Sequence, residues 1–157
     1  MRIWLVLLLA LLAACAPEQG HCPRLPGGGS YCLQPPSDQP FSTLQKTSIQ
    51  FGGQTLTLLT RIESDAAGLR FVGLTPFGQT LMSVSWENGA LRAELPPALQ
   101  GKLDPALLLA LIQIAHWPAE QVRNGLGPQW ILTETPATAP NRRQLKLSQN
   151  DESMLNI

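Results

Sequence analysis

The sequence predicts an α+β domain that is mainly β, an antiparallel meander with short helices lodged in the concavity of a curved sheet. Three observations point there. Between Phe41 and Leu95, short runs with period-2 alternation are separated by turn signals. After Pro96 and Pro97 comes a helix-length segment, Ala106 to Trp117, apolar on every side except Gln113 and His116. Strand-like runs then resume at Gln129 to Glu134 and Gln144 to Gln149.

The N-terminus is a targeting segment. Arg2 supplies a positive start, Ile3 to Leu12 is an uninterrupted apolar run, and small Ala13 and Ala14 follow. That run is too short to cross a hydrocarbon core of roughly 30 Å as a helix. Leu12-Ala13-Ala14-Cys15 looks like a bacterial lipobox, which makes Cys15 the lipidated first residue of the mature protein. Acyl chains there would anchor the chain, since each buried methylene contributes about 0.8 kcal/mol. Bacterial lipoproteins of this kind stay at the inner membrane when aspartate follows the cysteine. Here Ala16 and Pro17 follow it, which points to the periplasmic face of the outer membrane.

Of three cysteines, lipidation of Cys15 leaves Cys22 and Cys32 as a pair, and the periplasm permits a disulfide. Closing a loop of this size is worth roughly 2.5 to 3 kcal/mol in the chain-entropy account. A metal site built on His21, Cys22 and Cys32 lacks a nearby fourth ligand. Pro23, Pro26, Gly27, Gly28 and Gly29 make the intervening stretch resemble linker rather than core. The expected organisation is therefore a signal peptide over residues 1–14, a lipidated tether and disulfide loop over 15–40, and one folded domain over 41–157.

Positive and negative side chains balance at 11 each, so no electrostatic footprint for nucleic acid is visible. Arg142, Arg143 and Lys146 form only a small basic cluster. Charged residues make up 14% of the chain against 44% hydrophobic, a balance that suggests a greasy interior.

Within the domain, strands are expected at Phe41 to Phe51, Gln54 to Ser64, Leu69 to Thr75, Gln79 to Glu87 and Ala90 to Leu95. They are separated by Gly52-Gly53, Asp65 to Gly68, Pro76-Phe77-Gly78 and Asn88-Gly89, the last being a strong hairpin signal. Leu56, Leu58, Thr60 and Ile62 share one face, as do Thr80, Met82, Val84 and Trp86. Asp104 is a good N-cap with Pro105 at the first helical position, and Pro118 begins a second short helix ending near Gly125.

Little in the chain suggests covalent chemistry, and an enzyme is not expected. The two histidines are His21 in the tether and His116 late in the apolar helix, where a cap or structural role fits. Ser83 and Ser85 lie on a strand without a glycine-flanked elbow, and Gly27 to Gly29 lack the lysine and helix of a phosphate loop. No cofactor is expected.

With the Pro76-Phe77-Gly78 turn and Ile112-Gln113-Ile114-Ala115-His116-Trp117-Pro118, followed by Val122-Arg123 and Leu126, the chain resembles DUF3261 family lipoproteins over most of Phe41 to Ile157. That family is related in fold to the LolA and LolB lipoprotein carriers and is often encoded with aryl polyene biosynthesis genes. The resemblance implies a half-open antiparallel barrel with helices in its mouth, enclosing an apolar cavity for acyl chains. Phe71, Leu74, Phe77, Met82, Val84, Trp86, Leu108, Ile112, Trp117, Trp130 and Leu132 are the residues available to line it, and plain core packing is the alternative for the same set. The implied partners are a lipid or the acyl chains of a lipoprotein, the membrane through the anchor, and a periplasmic carrier. The competing function is an anchored docking module with no ligand. Two departures stand out. Family members continue past the Arg142 to Leu147 strand, whereas this chain stops at Met154 to Ile157, as a C-terminal truncation would. The LolB-type carriers also insert through an exposed apolar residue on a protruding loop, and the Asp65 to Gly68 turn has no Leu or Phe at its tip.

Overall fold

The structure is a computed structural model that describes residues 20–51, 53–134, 143–147 and 154–156. The signal segment and Cys15 lie outside the described residues, as do Arg142 and the side chains of Arg143 and Lys146.

Five strands form one antiparallel meander in chain order: β1 (Phe41–Phe51), β2 (Gln54–Asp65), β3 (Gly68–Leu74), β4 (Thr80–Glu87) and β5 (Ala90–Glu94). Two helices follow, α1 (Pro105–His116) and α2 (Ala119–Gly125), and then a three-stranded sheet of β6 (Trp130–Glu134), β7 (Arg143–Leu147) and β8 (Met154–Asn156). The mainly β, α+β class holds, and the two sheets are not closed into a barrel among the described residues. The C-terminal residues add a strand that the sequence pattern did not announce: β8 pairs antiparallel with β7, Leu145 opposite Leu155.

Alternation assembles one apolar face from rows across the sheet. Ile62 faces Phe71, Phe71 faces Val84, and Val84 faces Ala93. In the next row Ser64 faces Leu69, Leu69 faces Trp86, and Trp86 faces Leu91. Apart from Ala93 and Leu91 on the last strand, these residues are buried. Thr60, buried on the same face, bonds the Thr47 hydroxyl at 2.6 Å and donates to the Gln45 carbonyl at 3.1 Å, which removes the cost of a polar group there. Asn88 at φ 51° and Gly89 at φ 74° form the β4–β5 turn, a geometry that Asn-Gly accepts cheaply.

Helix α1 begins where the Asp104 carboxylate accepts from the Ala106 and Leu107 amides at 2.9 and 3.3 Å. Leu108, Leu109, Ala110, Ile112, Gln113 and Ile114 are all buried, as an all-round apolar helix requires. No helix among the described residues is long and apolar enough to cross a membrane.

The folded body starts well before Phe41. Leu25, Tyr31, Leu33 and Ser37 are buried, and Tyr31 is fully inaccessible. The stretch expected as tether and disulfide loop thus also contributes side chains to the core. The prolines and glycines make the turns, while Leu25, Tyr31 and Leu33 supply the burial that composition concealed.

Candidate functional site

The concave face of the meander is covered unevenly. Over β2, β3 and β4 its side chains are buried in a common core with α1, α2 and the N-terminal segment. Over β5 the cover stops: Ala93 is exposed and Leu91 and Leu95 are half-buried, although the register places Leu91 and Ala93 on the inner face. A groove of about 580 Å³ lies along this strip, lined by Ala93, Leu95, Leu103 and Pro105 together with the Gln100 to Asp104 turn. Its size is typical of small-molecule sites. A second hollow of about 330 Å³ shares Ala93, Leu95 and Gln100 and extends to Thr80, Leu81 and Met82, at the base of the β3–β4 turn.

Two polar side chains at the groove are already engaged. The Gln100 side-chain amide donates to the Leu95 carbonyl at 3.0 Å, and Asp104 is committed to capping α1. Lys102 is an exposed cation at the rim.

Of the residues nominated for a lipid cavity, Phe71, Met82, Val84, Trp86, Leu108, Ile112, Trp117, Trp130 and Leu132 are buried in the core. Two belong elsewhere. Leu74 is half-buried and paired with exposed Leu59, on the convex face, because a residue three positions from inward Phe71 has opposite parity on a strand. Phe77 is 92% exposed in the turn joining β3 to β4, where the Thr75 carbonyl accepts from the Gly78 amide at 2.9 Å and Gly78 takes φ 79°. The turn ends strand alternation, so its apolar residue points to solvent instead of the core.

Polar contacts concentrate where the N-terminal segment meets α1. Gln113, fully buried, accepts from the Tyr31 hydroxyl at 3.1 Å and from the Gln34 amide at 2.8 Å, and donates to the Gln34 carbonyl at 3.0 Å. The same carbonyl accepts the Trp86 indole N–H at 3.2 Å. The Trp130 indole donates to the Gly28 carbonyl at 3.0 Å, and the Gln121 amide to the Pro35 carbonyl at 2.9 Å. Cys22 and Cys32 stand at disulfide distance, 2.03 Å between sulfurs. Gln113 stood out in the sequence as an interruption in an apolar helix and as part of the Gln-x-x-x-Trp-Pro segment, but its partners are far along the chain, and spacing alone carries no sign of them.

A cluster of ion pairs lies on the outer face of the sheet. Arg70 contacts Glu87, Asp65 at 3.3 Å and Glu63 at 3.9 Å, and Arg61 meets Glu63 at 3.3 Å. The Ala67 amide, with help from the Gly68 amide and Arg70, holds the Asp65 carboxyl below its ordinary range. The hydrogen bond to Glu87 raises Arg70. His116 stacks on Phe41 with ring centroids 5.0 Å apart, and His21 meets the Trp86 ring edge-on at 5.3 Å.

No curated protein and no solved structure matches the chain. A family profile matches residues 42–157, which takes in the meander from the second residue of β1, the helices and the second sheet. The chain therefore belongs to the DUF3261 family, described as proteins of unknown function.

Proposed function

We propose that this chain is a lipoprotein held at the periplasmic face of the outer membrane through Cys15, and that it binds or relays an amphiphile without covalent chemistry. The ligand is a lipid or the acyl chains of another lipoprotein, with a role in aryl polyene biosynthesis or transport as the specific case, and a periplasmic carrier is the partner for relay. One observation carries this: the inner face of the meander runs out from under its cover at β5, leaving an open groove of about 580 Å³ whose apolar wall is Ala93, Leu95, Leu103 and Pro105. Each methylene buried there would contribute about 0.8 kcal/mol. Two antiparallel sheets with the helices between them fit a half-open barrel whose mouth is this groove. Exposed Phe77, in the turn that leads into Thr80 at the second hollow, provides the apolar tip that the Asp65 to Gly68 turn lacks.

The test is titration of the full chain with a dansyl-labelled acyl probe, alongside Ala93→Trp. Ala93 is exposed, so the new ring fills the groove with little strain, and affinity should fall at least about tenfold at nearly unchanged melting temperature. Equal affinity in both proteins would remove the groove from the proposal. Cys15→Ser should abolish palmitate incorporation, and continued labelling would defeat the anchor.

A second reading, an anchored docking module without ligand, is favoured by the interior itself, which Leu25, Tyr31 and Leu33 help to fill. Native mass spectrometry separates the two: co-purifying lipid supports the carrier, a bare chain the module.

A further inference from the structure

We propose that residues 20–35 form a displaceable strap, with which the chain fills its own concavity and which an acyl ligand entering from the β5 groove lifts away. The inference rests on the amphiphile proposal and adds its regulation. Three features set this segment apart from a core strand. Among the described residues it joins no sheet ladder: its bridges are Arg24 with Ser30, inside the segment, and Tyr31 with Leu126. It is closed on itself, because both Cys22 and Cys32 lie within it, and the bonds from the Tyr31 amide to the Pro23 carbonyl and from the Leu33 amide to the His21 carbonyl are internal too. Such a loop keeps its shape when it moves. Its attachment to the body is largely made by side chains that reach its carbonyls: Gln113 and Trp86 on Gln34, Trp130 on Gly28, and Gln121 on Pro35. Bonds from the Tyr31 hydroxyl and the Gln34 amide to Gln113, backbone bonds from Cys32 to the Gly125 carbonyl and from Gly127 to the Ser30 carbonyl, and the buried side chains of Leu25, Tyr31 and Leu33 add to it.

The chemistry beneath the strap indicates what replaces it. Trp86 is buried beside Val84 and Leu69, yet its indole N–H, like the Gln113 amide, is satisfied only by a strap carbonyl among the contacts described. Lifting the strap uncovers apolar rows with two oriented donors at their edge. An acyl ester or amide matches that pattern, with its chain on the apolar rows and its carbonyl oxygen taking the place of the Gln34 carbonyl. A closed strap also lowers apparent affinity by the fraction of molecules in which it is open.

The test is hydrogen exchange on the full chain, with and without a saturating dansyl-labelled palmitoyl ester. Strap amides, Cys32 and Leu33 among them, should exchange at least about tenfold faster with probe bound, while amides of β2 and β3 hold or slow. Slower or unchanged strap exchange in a probe-bound protein overturns the strap and leaves the amphiphile proposal standing. In a second arm, excess dithiothreitol converts the cysteine pair to two thiols and is itself oxidised to its cyclic disulfide. Loosening the strap should then raise probe affinity several-fold. If neither form binds probe, the amphiphile proposal fails, and exchange of the reduced protein decides the strap: opening of residues 20–35 ahead of the sheet supports it, and simultaneous loss of both overturns it.

Discussion

Gln113→Met isolates the buried amide from its volume. Methionine nearly matches glutamine in size and is a good helix former, so α1 keeps its packing and its Asp104 cap. What disappears is an acceptor shared by the Tyr31 hydroxyl and the Gln34 amide, and a donor to the Gln34 carbonyl, which retains Trp86. The Gln34 amide left without that acceptor costs about 1 to 3 kcal/mol, and the lost tyrosine bond adds about 1 kcal/mol. The expected loss is therefore about 2 to 4 kcal/mol. At about 4 °C per kcal/mol for a chain of this size, the melting temperature should fall by about 8 to 16 °C. Urea unfolding followed by far-UV circular dichroism gives the free energy, and a cycle with Tyr31→Phe gives the coupling, expected at about 0.5 to 1.5 kcal/mol. Gln113→Glu adds a pH readout. Burial raises the carboxyl's folded-state value above its unfolded one, so that variant should be most stable in acid and weaken as pH rises through the raised value. A Gln113→Met protein within 0.5 kcal/mol of the parent, or a strictly additive cycle, would refute the stabilising role of the Gln113 hydrogen bonds.

The remaining expectations concern the sheet and its turns. Gly68→Ala should cost about 2 to 3 kcal/mol in thermal unfolding, because its Cβ would run into the Trp86 carbonyl oxygen and stand 2.9 Å from the Glu87 Cα, backbone that cannot give way; a silent substitution would mean the β2–β3 turn is placed differently. Phe77→Ser should leave stability within about 0.5 kcal/mol, the ring being already in solvent, yet lower binding of the chain to anionic vesicles about tenfold or more; unchanged co-sedimentation would exclude the turn from membrane contact. Asp65 has its folded-state carboxyl held low, so its contribution is present above the ordinary aspartate range and is lost as pH falls through the lowered value; Asp65→Asn should flatten the acid limb of stability below roughly pH 4, and an unaltered limb would place the effect elsewhere.

The meander was legible because its turns are chemically marked. Gly53, Gly68, Gly78 and the Asn88-Gly89 pair all take positive φ, and each fell where a strand was expected to stop. Face assignment was less accessible. Phe71 and Leu74 were nominated together, yet parity separates them, and a register irregularity between Gly73 and Leu74 disturbs pairing there as well. Phe77 was nominated for its type alone, when its turn decides its exposure. The N-terminal segment was hidden for the opposite reason. Its proline and glycine content signals linker, whereas burial there depends on Leu25, Tyr31 and Leu33 meeting partners about eighty or more positions away, Gln113 and Trp130 among the residues that hold the segment. Local patterns record which face an element can bury; they do not record which distant segment will cover it.

That distinction bears on how an apolar interior becomes a binding site. A residue such as Trp86 is equally buried whether a ligand or the chain's own backbone lies over it, so burial cannot distinguish a filled core from a cavity held shut. The hydrogen bonds add what covers it: Trp86, Trp130 and Gln113 send theirs across to carbonyls of a segment that joins no sheet ladder among the described residues. If that segment lifts as proposed, those donors are exposed together, and a ligand that keeps the apolar rows dry must bring a hydrogen-bond acceptor such as a carbonyl to satisfy them. The energetic cost of opening is then set by the donors, and the gain on loading by the apolar rows. An amphiphile with an ester or amide head answers both requirements, which a simple hydrocarbon does not.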